Sequence, residues 1–213
     1  MQWTVIVPMK DLGDAKTRLL PADDPSRPEF AASFLQDALA AIVLAQRVQR
    51  VIVVTNDDRV RRLVDDSSAE WLAESDARGL NAAALHGLSA VHPDDAAAVM
   101  AGDLPCLTPQ AVDLVLDLAE GYPRSFVSDA PGVGTTMLLA RRSPDCLPTF
   151  GTRSRAVHAM LGNVEIGLDP APGQATLLAR ARRDVDTPVD LWDAVRLGVG
   201  PATERVLSWN AAP

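Results

Sequence analysis

Only two lysines occur in the chain, Lys10 and Lys16, and both fall in one short segment after an apolar run. All the other basic residues among the 20 are arginines. A lysine acts on phosphate as a compact point charge. With Arg18, three cations are placed within Pro8-Met9-Lys10-Asp11-Leu12-Gly13-Asp14-Ala15-Lys16-Thr17-Arg18-Leu19. The segment has neither the G-x-x-x-x-G-K-[ST] spacing of a P-loop nor the dinucleotide fingerprint. Several positive groups beside free backbone N–H donors suit a polyphosphate; the bland alternative is a solvated surface loop.

Two acidic positions could complement those cations. Asp103 stands in Gly102-Asp103-Leu104-Pro105, directly after the apolar run Ala97-Ala98-Val99-Met100-Ala101. A carboxylate held there suits Mg²⁺, which takes one or two carboxylates and completes its shell with phosphate oxygens and water. Gly102 would let the backbone approach a ligand; a turn or helix cap is the structural alternative for Asp103. Asp184 and Asp186 are the second position, in Asp184-Val185-Asp186-Thr187-Pro188. Alternation in an extended segment sends both carboxylates to one side. Asp186 could otherwise only assist the cap of the helix that follows.

Elements that would carry these residues are legible. Trp3 to Val7 reads as a buried strand, as do 51–55 and 97–101, with a further short candidate at 71–73. Ser26 and Glu29 have capping-box spacing, and the helix they open should bury Phe34, Leu35, Ala38, Leu39 and Ile42. Further helices are expected at 57–64, from Gly79-Leu80-Asn81 to Val91, after Thr108-Pro109, at 154–161, and from Thr187-Pro188 to Leu197. Residues 125–128 and 136–140 read as two strands joined by Gly132-Val133-Gly134. Strands alternating with helices predict an α/β fold, a Rossmann-like, mostly parallel sheet with helices on both faces. We read residues 1–213 as a single domain. Ligands of such sheets bind outside the carboxyl ends of the strands, which selects the loops after Val7, Ala101 and Ser128.

Composition narrows the setting. Net charge is −8, which argues against a broad nucleic-acid surface, so positive charge must be concentrated locally. The start MQWTVIVPMKD lacks a basic region followed by an apolar stretch, and no apolar run reaches membrane-spanning length. A cytoplasmic protein without membrane partners is the expectation. Cys106 and Cys146 have no metal-type spacing, and His86, His92 and His158 are scattered.

Taken in order, Val-Ile-Val-Pro-Met-Lys…Ala-Lys-Thr-Arg-Leu, Gly79-Leu80-Asn81-Ala82-Ala83, Gly102-Asp103-Leu104-Pro105, Gly134-Thr135 and Asp184-Val185-Asp186-Thr187-Pro188 carry a resemblance. The chain resembles the 2-phospho-L-lactate or phosphoenolpyruvate guanylyltransferases of deazaflavin coenzyme F-420 biosynthesis. The resemblance runs nearly the full length and is patchy at 57–77 and 162–182. It implies a nucleotidyltransferase fold like that of the molybdopterin guanylyltransferases, related to glycosyltransferase-A folds. It also implies transfer of GMP from GTP to the phosphate of a three-carbon phospho-acid, with release of pyrophosphate. Carried over by position, Asp103 with Asp184 or Asp186 would bind Mg²⁺, and Lys10, Lys16 and Arg18 would neutralise the departing phosphates. Thr135, Gly151 and Ser154 match the positions that hold the acid, the last two at the start of a helix, where anions are favoured. Asn81 would read the guanine or its ribose, or simply cap its helix. The acceptor phosphate is already an anionic nucleophile, so no histidine is needed as a general base. A downstream transferase of the pathway would receive the product.

Other readings remain at this point. They are a guanylyltransferase with another acceptor (3-phosphoglycerate or molybdopterin), a glycosyltransferase whose D-x-D metal motif is 184–186, and a catalytically silent nucleotide-binding regulator.

Overall fold

A computed structural model describes residues 1–76 and 78–210. The elements are β1 (Trp3–Pro8), α1 (Ser26–Val43), β2 (Val48–Val54), α2 (Asp58–Asp65), β3 (Glu70–Leu72), α3 (Leu80–Leu88), β4 (Ala96–Met100), α4 (Pro109–Ala119), β5 (Arg124–Ser128), β6 (Thr135–Ala140), α5 (Ser154–Met160), β7 (Val164–Glu165), α6 (Ala175–Arg182), α7 (Pro188–Leu197) and α8 (Pro201–Asn210). One seven-stranded sheet runs in the order β3-β2-β1-β4-β6-β5-β7. Every neighbouring pair is parallel except those made by β6, which runs against both β4 and β5. The expected mostly parallel α/β sheet is therefore present.

Alternation along β1 sets the two faces. Trp3, Val5 and Val7 join one buried cluster with residues of α1, α2, α4 and α6. Ile6 points the other way, into a smaller cluster with Ala83, Ala84 and Leu88 of α3 and with Phe126 and Leu138. Ala97, Ala98 and Val99 are fully or nearly fully buried, because β4 is covered on both faces and reads as an unbroken apolar run. A third cluster (Phe30, Phe34, Cys106, Val185 and Ala194) packs α7 and α8 onto α1. Both cysteines are buried and unpaired, and burial pushes their thiols up to about 11 and about 12. No helix among the described residues is long and apolar enough to cross a membrane.

Local signals placed most helix starts. Thr108 accepts the Ala111 N–H with Pro109 in the first turn, and Thr187 forms a complete capping box with Asp190. The start of α1 differs from expectation. Its N-cap is Pro25, with no side-chain cap bond, and the Asp24 carboxylate instead accepts the Ser26 N–H at 2.8 Å. Glu29 reaches away to Arg59. Three elements lacked a usable sequence signal. Strand β7 is two residues long; α6 follows a Pro/Gly-rich stretch and buries only Leu178 and Ala181; α8 lies beyond the last motif.

The topology decides which loops meet. After β3 the chain crosses back to place β4 on the free side of β1, so the loops leaving β1 and β4 flank a topological switch point. Because β6 is reversed, its first residue, Thr135, lies at the edge where β5 ends, paired with Ser128.

Candidate functional site

Those strand ends border a cleft of about 820 Å³. Lys10, Lys16, Arg18, Asp103, Thr135, Gly151, Ser154, Asp184 and Asp186 all line it. Three of these groups were expected at the sheet edge from local pattern; the fold brings them to one cavity together with the 150–154 segment.

At its centre is the Lys16 ammonium, with a side chain only 8% exposed. It donates to Asp103 and, at 3.0 Å, to Asp186, whose other oxygen receives Arg18 at 2.5 Å. Burial alone would lower the lysine, but the two carboxylates outweigh it and hold its charge above the ordinary value. Lys16 takes a left-handed backbone conformation (φ 58°), uncommon outside glycine, which turns the side chain inward. Asp184 sits behind the pair. Burial, then the charges of Asp103, Asp186 and Asp129, push its carboxyl up to about 8. So many carboxylates in a half-buried space require positive charge. Among the described residues no three His, Cys, Asp or Glu side chains stand ready as a cation cage; in this conformation the ammonium of Lys16 occupies the place between Asp103 and Asp186. Asp186 is therefore part of the charge cluster, not merely an aid to the helix cap.

The lysine loop is held from outside itself. Arg27, buried at the start of α1, donates to the carbonyls of Ala15, Gly13 (2.6 Å) and Ala22 (3.0 Å). Asp57, which caps α2, also accepts the Leu12 N–H at 2.8 Å. Gly102 belongs to the same support. A Cβ there would meet Met9 Sδ at 2.4 Å and Leu35 Cδ1 at 3.2 Å. Its missing side chain thus admits the start of the loop, and its backbone also lines the cleft. Replacing Arg27 with alanine is expected to destabilise the protein by about 2–3 kcal/mol, since three carbonyls lose a charged donor. The same variant should weaken nucleotide binding about tenfold as the loop loosens; urea unfolding and a nucleotide titration measure the two effects.

On the far wall, Ser154 Oγ lies 3.1 Å from Thr135 Oγ1, which lies 2.9 Å from His158 Nδ1. Asp129 accepts the Val133 and Gly134 N–H groups, each at 2.7 Å. A Cβ on Gly134 would lie 2.5 Å from its carboxylate, so only glycine lets that turn close. At the start of α5, Ser154, Arg155, Ala156 and Val157 already donate their N–H groups to Gly151, Val133 and Arg153. The Thr135 and Ser154 hydroxyls join the 151–153 segment as groups on this wall of the cleft. Asn81 lies outside the cleft lining, and its amide is engaged at both ends, donating to Phe150 O (2.9 Å) and accepting Phe150 N–H (2.7 Å). It fastens the 150–154 segment to α3.

His158 is fully buried and packed against Phe126 and Phe150. Burial lowers its imidazole to about 4. The native protein therefore takes up this proton only near pH 4, whereas the unfolded chain binds it below about 6.5. Stability from this group is complete above pH 7 and falls as pH drops from about 6.5 to 4, by roughly 3 kcal/mol, then levels off. Unfolding free energies at pH 7.5 and 4.5 should differ less in His158→Asn than in the wild type.

Comparison with known proteins agrees with this geometry. Residues 29–164 match the MobA-like NTP transferase domain. A phosphoenolpyruvate guanylyltransferase of Streptomyces avermitilis is 42% identical over 207 residues, spanning 95% of this chain and 93% of that protein. The chain belongs to the phosphoenolpyruvate guanylyltransferase family. Among solved structures, 4-diphosphocytidyl-2C-methyl-D-erythritol synthase superposes with a TM-score of 0.62 at 12% identity, covering 92% of this chain and 97% of that one. A Mycobacterium tuberculosis protein solved in complex with manganese gives 0.56 at 20% identity, over 92% and 98%. These two likenesses carry the fold: it is a nucleotidyltransferase fold of the glycosyltransferase-A type.

As a guanylyltransferase-family chain it is an enzyme, a nucleotidyltransferase, rather than a silent regulator or a glycosyltransferase. Four residues that line or support its cleft carried no local signal. Arg27, Asp57 and Asp129 look like ordinary surface charges, and His158 like one of three scattered histidines. A guanylyltransferase site of this build could have revealed Asp129 only through the Gly132/Gly134 turn that follows it.

Proposed function

We propose that the cleft transfers GMP from GTP to the phosphate of phosphoenolpyruvate, within a single nucleotidyltransferase domain spanning residues 1–213. The observation that carries the reading is convergence: the cation loop, the carboxylate group and the Thr135–Ser154 hydroxyl pair share one cavity. The relatives' name favours phosphoenolpyruvate over 2-phospho-L-lactate. The reaction forms a bond from an acceptor phosphate oxygen to the α-phosphorus and breaks the α–β bridge, releasing pyrophosphate. It needs little covalent work from the protein; position and charge neutralisation set the rate.

Asp103 with Asp184 or Asp186 would hold a divalent cation, Mg²⁺ in our reading, once Lys16 leaves the place between Asp103 and Asp186. They are hard oxygen donors of the kind such an ion takes, and all three line the cleft beside the lysine loop. When bound, such an ion supplies Lewis-acid polarisation of the α-phosphate. Lys16, drawn from Asp103 and Asp186 toward the phosphates, neutralises charge on the β- and γ-groups with exposed Lys10 and Arg18. Thr135 and Ser154 hold the acid, with Gly151 beside them. A cytoplasmic enzyme handing its product to a downstream transferase of F-420 biosynthesis completes the proposal.

The test supplies GTP and Mg²⁺ with phosphoenolpyruvate, 2-phospho-L-lactate or 3-phosphoglycerate in turn, and follows pyrophosphate release. Release dependent on phosphoenolpyruvate is expected. Equal release without acceptor, or only with another acid, overturns the assignment.

A further inference from the structure

We propose that His158 is a positioning residue that fixes the Thr135–Ser154 pair as a hydrogen-bond donor toward the anionic acceptor. The inference rests on the reading that these hydroxyls hold the acid. It starts from the far side of the ring. His158 Nε2 faces the Thr149 backbone N–H at 3.2 Å. An amide can only donate, so this nitrogen must carry the lone pair, and the proton of the neutral imidazole resides on Nδ1. Nδ1–H then donates to Thr135 Oγ1 at 2.9 Å.

The consequence is a count of protons. Thr135 and Ser154 own two hydroxyl protons, and one of them is used in the 3.1 Å bond between the two oxygens. Because His158 donates, the second is free to face the cleft that both residues line. In the opposite tautomer Nδ1 would accept the Thr135 proton, and the pair would have no donor left for a ligand. The pair would then present only lone pairs to an anion, which is repulsive. The ring does not switch readily: it is fully buried between Phe126 and Phe150, and burial keeps it neutral above about pH 4. Thr149, outside the cleft lining, thus sets the sign of the hydrogen-bonding group that meets the ligand. No histidine proton enters the chemistry, and the group acts through Thr135.

Imidazole ¹⁵N spectra of the wild-type protein test the tautomer directly, without a variant that could misfold. The Nδ1-protonated form is expected from pH 5.5 to 8, and the Nε2-protonated form overturns the proposal. Kinetics test the consequence. His158→Leu should raise the KM for phosphoenolpyruvate by roughly tenfold or more, as an anion loses a donor, and leave the KM for GTP within about twofold. His158→Asn, whose amide can place an N–H near the Nδ1 position, should recover most of the loss. Equal rises in both KM values, or no recovery with asparagine, overturn the proposal in favour of a packing role. Thr135→Val separates this from the underlying reading. If it leaves the phosphoenolpyruvate KM unchanged, the acid is not held here and the proposal falls with the reading. If it raises that KM while His158→Leu does not, the proposal alone fails.

Discussion

Asp103→Ala is expected to lower the rate of nucleotidyl transfer by about 10³-fold or more, equivalent to roughly 4 kcal/mol of transition-state stabilisation. The carboxylate is the one acidic group that comes from the end of β4, at the switch point beside the lysine loop. No neighbour can replace it: Asp186 is already shared between Lys16 and Arg18, and Asp184 sits deeper with a raised carboxyl. The fold should survive, because the backbone carbonyl of Asp103 still accepts the Val185 N–H and Lys16 keeps its 3.0 Å bond to Asp186. The expected loss of stability is about 1 kcal/mol, since the pair is partly exposed. Turnover measured across a titration of Mg²⁺, with thermal unfolding alongside, checks both parts. Activity within tenfold of wild type would remove Asp103 from the reacting centre.

Lys16→Met should have a comparable effect on activity, about 10²- to 10³-fold, joined to a change in stability that depends on metal. Without the ammonium, Asp103, Asp184 and Asp186 face one another with no buried cation between them. Removing one partner of such a cluster is destabilising, by about 1–3 kcal/mol once the exposure of Asp186 is allowed for. A divalent cation should offset most of this, raising the variant's melting temperature far more than that of the wild type. Arginine is a poor substitute: a planar fork cannot take the position of a compact ammonium whose side chain is 8% exposed. Lys10→Ala, at an exposed position, should reduce activity only about tenfold. Melting curves with and without Mg²⁺ decide the matter; an unchanged response to metal would show that Lys16 does not stand in the cation's place.

Both predictions concern residues already visible in the sequence, and that is not an accident of these positions. The apolar runs at β1, β2 and β4, the Thr-Pro starts of α4 and α7, and the alternation of Asp184 and Asp186 are local patterns. Backbone period and capping act over a few residues, so they can be read from the chain order. The confinement of both lysines to one loop after a buried strand is local in the same sense. The α1 start shows the limit of such patterns. Ser26 and Glu29 have the right spacing, but Arg59 takes Glu29 and Asp24 takes the first N–H.

What the chain order determined, then, was the α/β architecture, the loops at the ligand edge and the cations and carboxylates they carry. Tertiary structure alone decided how these groups are paired and supported. Lys16 meets Asp103 across 87 positions and Asp186 across 170, and only the crossover that sets β4 beside β1 brings them together. Arg27 and Asp57 grip the lysine loop from two helices. Asn81 is taken out of the cleft by the backbone of Phe150, and His158 is drawn in behind Thr135. Such contacts join side chains distant in sequence, whose geometry depends on the packing of whole elements and leaves no periodic trace in the residues between them.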